Sequence, residues 1–205
     1  MPQDELKSQG QIVTIQTYEE NWQNYIDWTV SGVTGEYKDS IDEVLSYVDK
    51  DSEMFEVGSA TGRDADYIES LGFQITRSDV VESFVSYQKS LGKEMVKFDL
   101  MSDTFKHRYD LIYTNAVLLH FNPEELVTVL ENVKNGLKSG GLLAFTTKAG
   151  NSEEFSSHKM NKPRYFKYWE LEELKNFFID LGFKIEVFQF SIDSKWIQGI
   201  VRFVK

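Results

Sequence analysis

The 205-residue sequence contains no cysteine, so disulfides and thiolate metal sites are excluded outright. Its 3 prolines, Pro2, Pro123 and Pro163, are too few to form a proline-rich linker, and no repeat or low-complexity tract divides the chain. No apolar run is long enough to span a bilayer, and the polar stretch Met1 to Gly10 lacks the apolar centre of a signal peptide. Positive charge is scarce: 22 Lys and Arg stand against 33 Asp and Glu, a formal net charge of -11. A surface this acidic repels a phosphate backbone, which disfavours broad binding to nucleic acid. The expectation is one soluble, cytoplasmic domain with a sizeable core, of oligomeric state that the sequence does not disclose.

What the chain does have is aromatic residues, 15 Phe, 10 Tyr and 4 Trp, enough to fill a core and also to wall a pocket. It also alternates short β-like runs with amphipathic helical stretches, the pattern of a mostly parallel α/β sheet. Spacing predicts helices over 18–30 and 37–48, with residues 1–17 flexible. Strands are predicted over 53–57, 73–77, 94–98, 109–114 and 142–147, with helices 63–71, 81–91 and 124–137 between them. Gly140 and Gly141 read as the turn into the fifth strand. An irregular stretch, a helix over 170–181 and an antiparallel hairpin from 183–190 and 196–204 complete a single domain with a seven-stranded sheet.

The strongest local signal is Met54-Phe55-Glu56-Val57-Gly58-Ser59-Ala60-Thr61-Gly62-Arg63-Asp64. A strand feeds a glycine-containing turn that opens a helix, so backbone can approach a ligand closely and present unpaired N–H groups. Asp79 ends the next strand, where a carboxylate can take both hydroxyls of a ribose, and Asp99 ends the third. Three acids, Glu56, Asp79 and Asp99, thus share the carboxyl edge of the sheet, where ligands of open α/β sheets bind. The plainer readings are an ordinary turn for Gly58 and Gly62, a solvated helix N-cap for Asp79 and a loop carboxylate for Asp99.

Taken together and in this order, these segments resemble the class I S-adenosylmethionine-dependent methyltransferases, which have a Rossmann-like fold ending in an antiparallel hairpin. Their first motif, an acid followed by Gly-x-Gly-x-Gly, is matched by Glu56, Gly58, Ala60 and Gly62, with Ala60 in place of the middle glycine. Tyr109 to His120 resembles the fourth-strand motif, and Leu137-Lys138-Ser139-Gly140-Gly141 the turn before strand five. The resemblance implies S-adenosylmethionine as cofactor, held by Glu56, Gly58, Ser59, Ala60, Gly62, Asp79, Val80, Asp99, Leu100 and Asn115. Within that site Glu56 would lie near the methionine amino group, Asp79 at the ribose and Asp99-Leu100 at the adenine. No metal is implied.

His120, just past the fourth strand, is the candidate general base, with local packing as the alternative. Alignment of the acceptor with the methyl group supplies rate without any base. The stretch 148–168 reverses the overall charge, with Lys148, His158, Lys159, Lys162, Arg164 and Lys167 against Glu153 and Glu154. It reads as a substrate lid in which Arg164, Tyr165 and Tyr168 would meet a small, anionic acceptor; a solvated loop is the alternative. Trp22, Tyr25 and Trp28 either cap the cofactor or pack in the core. The sequence leaves three other functions open: an NAD-dependent oxidoreductase, although Arg63 stands where the dinucleotide pattern needs glycine; a tRNA-modifying methyltransferase, although the charge opposes it; and a non-catalytic cofactor-binding protein.

Overall fold

The computed structural model describes residues 7–158 and 160–204. Two helices, α1 (Gln9–Trp28) and α2 (Gly35–Leu45), precede the sheet. Then come β1 (Met54–Val57), α3 (Arg63–Ser70), β2 (Ile75–Asp79), α4 (Glu82–Ser90), β3 (Met95–Lys97), β4 (Tyr109–Asn115), α5 (Pro123–Gly136) and β5 (Leu137–Lys148). A two-stranded ribbon, β6 (Glu153–Ser156) and β7 (Arg164–Lys167), leads to α6 (Leu171–Asp180), β8 (Phe183–Phe190) and β9 (Trp196–Phe203). The large sheet has seven strands in the order β3-β2-β1-β4-β5-β9-β8. β1 to β5 are parallel, and β9 runs antiparallel to both its neighbours.

Alternation of side chains about the pleat divides the core into two layers. Phe55, Ile112, Leu143 and Val201 face α5 and α6, where Leu126, Val129, Leu130, Val133 and Phe178 are buried. Met54, Leu111, Leu142 and Ile200, one residue earlier in each strand, face α2 and α3 through Ile41, Val44, Ala65 and Ile68. Chain order reverses between β1 and β4, so the loops leaving these strands part there and open a crevice at the carboxyl edge. α5 is fixed at that edge by a capping box: the Asn122 side chain takes the Glu125 N–H at 2.9 Å, and Glu125 takes the Asn122 N–H at 3.0 Å.

The structure departs from the sequence expectations in three places. Residues 9–17, expected to be flexible, form the first half of α1; residues 1–6 lie outside the described residues. The buried face of this half is polar, Gln11, Thr14 and Thr17, so it leaves no apolar periodicity to detect. It docks by hydrogen bonds instead: Gln11 Nε2 to the His120 carbonyl, the Tyr165 N–H to Thr14 Oγ1 (2.9 Å), and Thr17 Oγ1 to the Pro163 carbonyl (2.6 Å). The helix kinks at Asn21, whose side-chain amide donates to the Thr17 carbonyl. Second, the irregular stretch contains the β6–β7 ribbon, whose four residue pairs close against α1. Third, Gly140 and Gly141 lie inside a longer β5, at a shift in its register with β4.

Candidate active site

At the crevice, β1 ends in Val57 and the chain turns sharply. Gly58 has φ 75°, and a Cβ built there would lie 2.4 Å from Val117 Cγ2, so the loops after β1 and β4 touch only because it is glycine. Gly62 (φ 74°) ends the turn as the N-cap of α3. Between them Ala60 is also left-handed (φ 44°), its N–H donating to Asp79 Oδ2 at 2.9 Å. An alanine held there costs about 1–2 kcal/mol relative to its usual backbone, against about 0.5–1 kcal/mol of extra chain entropy for glycine. Ala60→Gly is therefore expected to raise the melting temperature by about 1–3 °C. Its methyl also borders the cavities on both sides, so S-adenosylhomocysteine affinity, measured calorimetrically, should hold or tighten.

Two adjoining cavities share Tyr25, Gly58, Ala60, Asn115 and Ala116. The narrower, of about 100 Å³, is walled by Val57, Val80, Phe84, Phe98, Leu100 and Val117, with the carboxyl groups of Asp79 and Asp99 at its edges. Asp79 is buried rather than solvated: Oδ1 takes the Val81 N–H at 2.9 Å, Oδ2 the Ala60 N–H, and burial pushes its carboxyl up to about 6. Each oxygen keeps a second lone pair for a hydroxyl donor. Asp99 takes the Met101 N–H at 3.0 Å and pairs with Lys7 at 2.7 Å. α1 roofs this cavity through Gln11, Thr14, Ile15 and Tyr18, and is tied to α4 where Glu19 takes the Ser83 N–H.

The wider chamber, of about 400 Å³, runs from the first turn toward α2 and the β8–β9 hairpin. In its wall Glu56 is only 2% exposed, and its Oε2 has no hydrogen-bond partner among the described residues. Burial and then the Asp64 charge push this carboxyl up to about 8. Beside it lies a closed network. Asp64 accepts from the Tyr37 hydroxyl, Asn115 Nδ2 (2.9 Å), Tyr113 Oη (3.3 Å) and Arg63 Nε (3.0 Å). Arg63 also donates to the Tyr37 hydroxyl at 2.6 Å and lies over its ring. Asn115 is thereby held with both polar atoms inside the network, its Oδ1 taking the Thr146 hydroxyl.

The site thus brings together Glu56, Gly58, Ser59, Ala60, Asp79, Val80, Asp99, Leu100, Asn115 and His120, but not Gly62; Ser59 Oγ also takes the Ser78 N–H and braces the turn. It does not bring the lid residues to the cavities. Arg164 is buried, donating to the Tyr18 hydroxyl (2.9 Å) and the His158 carbonyl (2.7 Å). The Tyr165 hydroxyl donates to Glu153 and that of Tyr168 to Glu154, while Lys162 pairs with Glu20 of α1 at 3.7 Å and Lys167 lies over the Trp169 ring. Lys159 lies outside the described residues. His120 is buried, with Nδ1 2.7 Å from the Tyr165 carbonyl and Nε2 3.2 Å from the Tyr18 hydroxyl. Burial lowers its imidazole to about 4. Of the N-terminal aromatics, Tyr25 lines both cavities, Trp22 packs on Tyr87, and Trp28 faces solvent. Sequence reasoning gave no part to Tyr37, Asp64 or Trp196; only Asp64 carried a signal, standing two residues past Gly62 in the first turn of α3.

The residues fit a cofactor carrying a ribose, a flat base and an ammonium group: a buried orphan carboxylate oxygen awaits a cation, and an apolar slot lies beside the paired acids. A family model described as tellurite resistance protein TehB matches residues 20–186. The "probable S-adenosyl-L-methionine-dependent methyltransferase TehB" of Haemophilus influenzae is 20% identical over 133 residues, 58% of this chain and 46% of that one. The chain thus spans about half the length of the curated relatives it matches. Among solved structures, the Burkholderia thailandensis 1,6-didemethyltoxoflavin-N1-methyltransferase, with 1,6-didemethyltoxoflavin and S-adenosylhomocysteine bound, has a TM-score of 0.76 at 15% identity, covering 98% of this chain and 92% of its own. A Methanosarcina mazei S-adenosylmethionine-dependent methyltransferase has a TM-score of 0.67 at 15% identity, over 79% and 97%. These likenesses show the fold.

Proposed function

Since the chain belongs to the TehB family of class I S-adenosylmethionine-dependent methyltransferases, we propose that it transfers a methyl group from S-adenosylmethionine to a small-molecule acceptor. The observation that carries this reading is the buried, unpartnered Glu56 Oε2 beside a turn whose backbone is locked to Asp79. When bound, S-adenosylmethionine supplies a methyl group activated by a sulfonium. Asp79 would receive ribose hydroxyls on its free lone pairs, Val80, Phe98, Leu100 and Val117 would enclose the base, and Glu56 would meet the ammonium group. The cofactor's ammonium end would lie in the part of the wider chamber at Glu56, and the acceptor takes the remainder, toward α2 and the β8–β9 hairpin. α1 keeps water from the narrow cavity, and rate comes chiefly from alignment in a walled site. No helix among the described residues is long and apolar enough to cross a membrane. On this reading the protein works in the cytoplasm, where a chain without cysteine has no disulfide to form.

His120 acts here as a positioning residue. Neutral at physiological pH, it donates from Nδ1 to the Tyr165 carbonyl and accepts the Tyr18 hydroxyl at Nε2, joining α1 to β7 over the site. His120→Gln is expected to lower turnover while leaving the shape of the kcat profile between pH 5.5 and 8 unchanged. An inflection present in the parent and absent from the variant would return His120 to the chemistry. The function itself is tested by calorimetric titration with S-adenosylmethionine, S-adenosylhomocysteine and NADH. Micromolar binding of the first two is expected, and binding of NADH alone would overturn the reading.

A further inference from the structure

S-adenosylmethionine ends in an α-amino acid, in which the nitrogen and the carboxyl carbon stand about 2.5 Å apart. Whatever holds the carboxylate must therefore lie beside Glu56, at the turn end of the wider chamber. Arg63 is the one cation among the described residues lining that chamber. It shares the neighbourhood of Glu56: it meets Asp64 and the Tyr37 hydroxyl, and the Glu56 charge acts on Tyr37 as the Asp64 charge acts on Glu56. At the far end, by the hairpin, Lys195 is paired with Asp193, and Lys148 rests 4.0 Å from the centre of the Trp196 ring. Neutral donors of the lining are engaged as well. The Tyr37 hydroxyl donates to Asp64, Asn115 Nδ2 to Asp64 and Tyr37, and Gln198 Nε2 to Glu43. In the turn itself the N–H groups of Ser59, Ala60 and Gly62 are spent on Ser78, Asp79 and Ser59.

Resting on the methyltransferase reading, we infer that Arg63 holds the methionine carboxylate of the cofactor and makes the site selective for an intact amino-acid end. A guanidinium has five N–H donors. Nε donates to Asp64 at 3.0 Å and Nη2 to the Tyr37 hydroxyl at 2.6 Å, which leaves both N–H groups of Nη1 and the second of Nη2. Those two nitrogens form the fork whose spacing matches the oxygens of a carboxylate. The Arg63 side chain is 25% exposed and that of Asp64 7%, so the open edge belongs to the guanidinium rather than to its partner. Asp64 does not depend on Arg63 alone, since Tyr37, Tyr113 and Asn115 donate to its other oxygen. With the cofactor in place the charges would alternate in sign: Glu56, ammonium, carboxylate, Arg63, Asp64. The Tyr37 ring, its centre 4.3 Å from the guanidinium carbon, and the two hydrogen bonds fix the fork in advance, so little side-chain freedom is lost on binding. A ligand without the carboxylate sets its ammonium against an unfilled fork, and like charges then oppose it.

The test is calorimetric titration of the full chain at pH 8 with three ligands. S-adenosylhomocysteine carries both groups, S-adenosyl-3-thiopropylamine keeps the ammonium without the carboxylate, and 5′-deoxy-5′-methylthioadenosine lacks both. The parent protein should bind S-adenosylhomocysteine about 10- to 100-fold tighter than the thiopropylamine. Equal affinity for these two overturns the inference and leaves the methyltransferase reading standing. In Arg63→Gln the affinity for S-adenosylhomocysteine should fall about 10- to 100-fold, while that for the thiopropylamine holds or rises, because a like charge is gone. Methylthioadenosine should bind the two proteins within about twofold of each other. A fall shared by all three ligands would make Arg63 a brace of the turn and overturn the inference. Arg63→Lys, which keeps the charge without the fork, should show an intermediate preference for the carboxylate ligand; a preference that is the same in all three proteins overturns the inference too. Failure of S-adenosylhomocysteine to bind the parent protein is a separate result, which removes the methyltransferase reading and this inference with it.

Discussion

Asp79→Ala is expected to weaken S-adenosylhomocysteine binding by about a hundredfold or more, since two charge-assisted hydrogen bonds are worth about 1.5–3 kcal/mol each. The same change removes the acceptor for the Ala60 and Val81 N–H groups and leaves two buried donors unsatisfied, at about 1–3 kcal/mol apiece. At about 2–4 °C per kcal/mol for a chain of this size, the melting temperature of the free protein should therefore fall by about 4–24 °C, less whatever burial of the ionised carboxylate had cost. Asp79→Asn separates the two roles: one amide oxygen still takes a backbone N–H, so more of the stability than of the affinity should survive. Calorimetry and thermal melts on both variants provide the check. Full affinity in Asp79→Ala would place the ligand elsewhere.

Cofactor affinity should rise with pH toward about 8 and then level off. Glu56 is raised to about 8 by burial and by the neighbouring Asp64 charge; Asp79 adds to the shift, and the Ser59 hydroxyl and Arg77 oppose it. A cation binds only the ionised carboxylate, so below this range binding must release a proton, and affinity grows by up to about tenfold per pH unit. Glu56→Gln should flatten the profile and lower affinity at pH 8. The free protein should respond in the opposite sense. A carboxyl raised from its ordinary 4.5 holds a proton in the folded state that the unfolded chain has lost. Stability is thus highest below 4.5 as far as Glu56 is concerned, and falls as pH climbs to about 8. Asp79, raised to about 6, acts in the same direction over a narrower window. Melts between pH 5 and 8.5, with and without S-adenosylhomocysteine, should diverge as pH rises. A free-protein melting temperature that fails to fall would mean that Glu56 is ionised throughout.

The parallel sheet and the first turn were readable because their causes are local: apolar runs of strand length, a glycine in the left-handed region, and acids at strand ends. Gly58, Asp79 and Leu100 stand around the crevice because chain order reverses between β1 and β4. The rest depended on pairings between distant residues. The inner face of α1 is written in Gln and Thr, and polar side chains in sequence do not reveal whether their partner is water or a carbonyl more than a hundred residues away. Arg164 misleads for the same reason: its charge can be read, but its burial against Tyr18 cannot. Tyr37 and Asp64 lie 27 residues apart and acquire a shared role only when the fold brings the hydroxyl onto the carboxylate, where Asn115 donates to both.

The polar seam beneath α1 also sets how this helix comes away. The second half of the helix packs Tyr18, Trp22 and Tyr25 on Phe84 and Tyr87. Detaching the first half, held by hydrogen bonds at Gln11, Thr14 and Thr17, exposes little apolar surface, so that opening should carry a small heat-capacity change and a shallow dependence on denaturant. In native-state hydrogen exchange the amides of residues 13–17 should therefore exchange through an opening whose free energy hardly changes with urea, well below that of the β4–β5 core. A roof of this kind can lift and reseat while the two apolar layers stay packed, so ligand turnover and global unfolding become separate events.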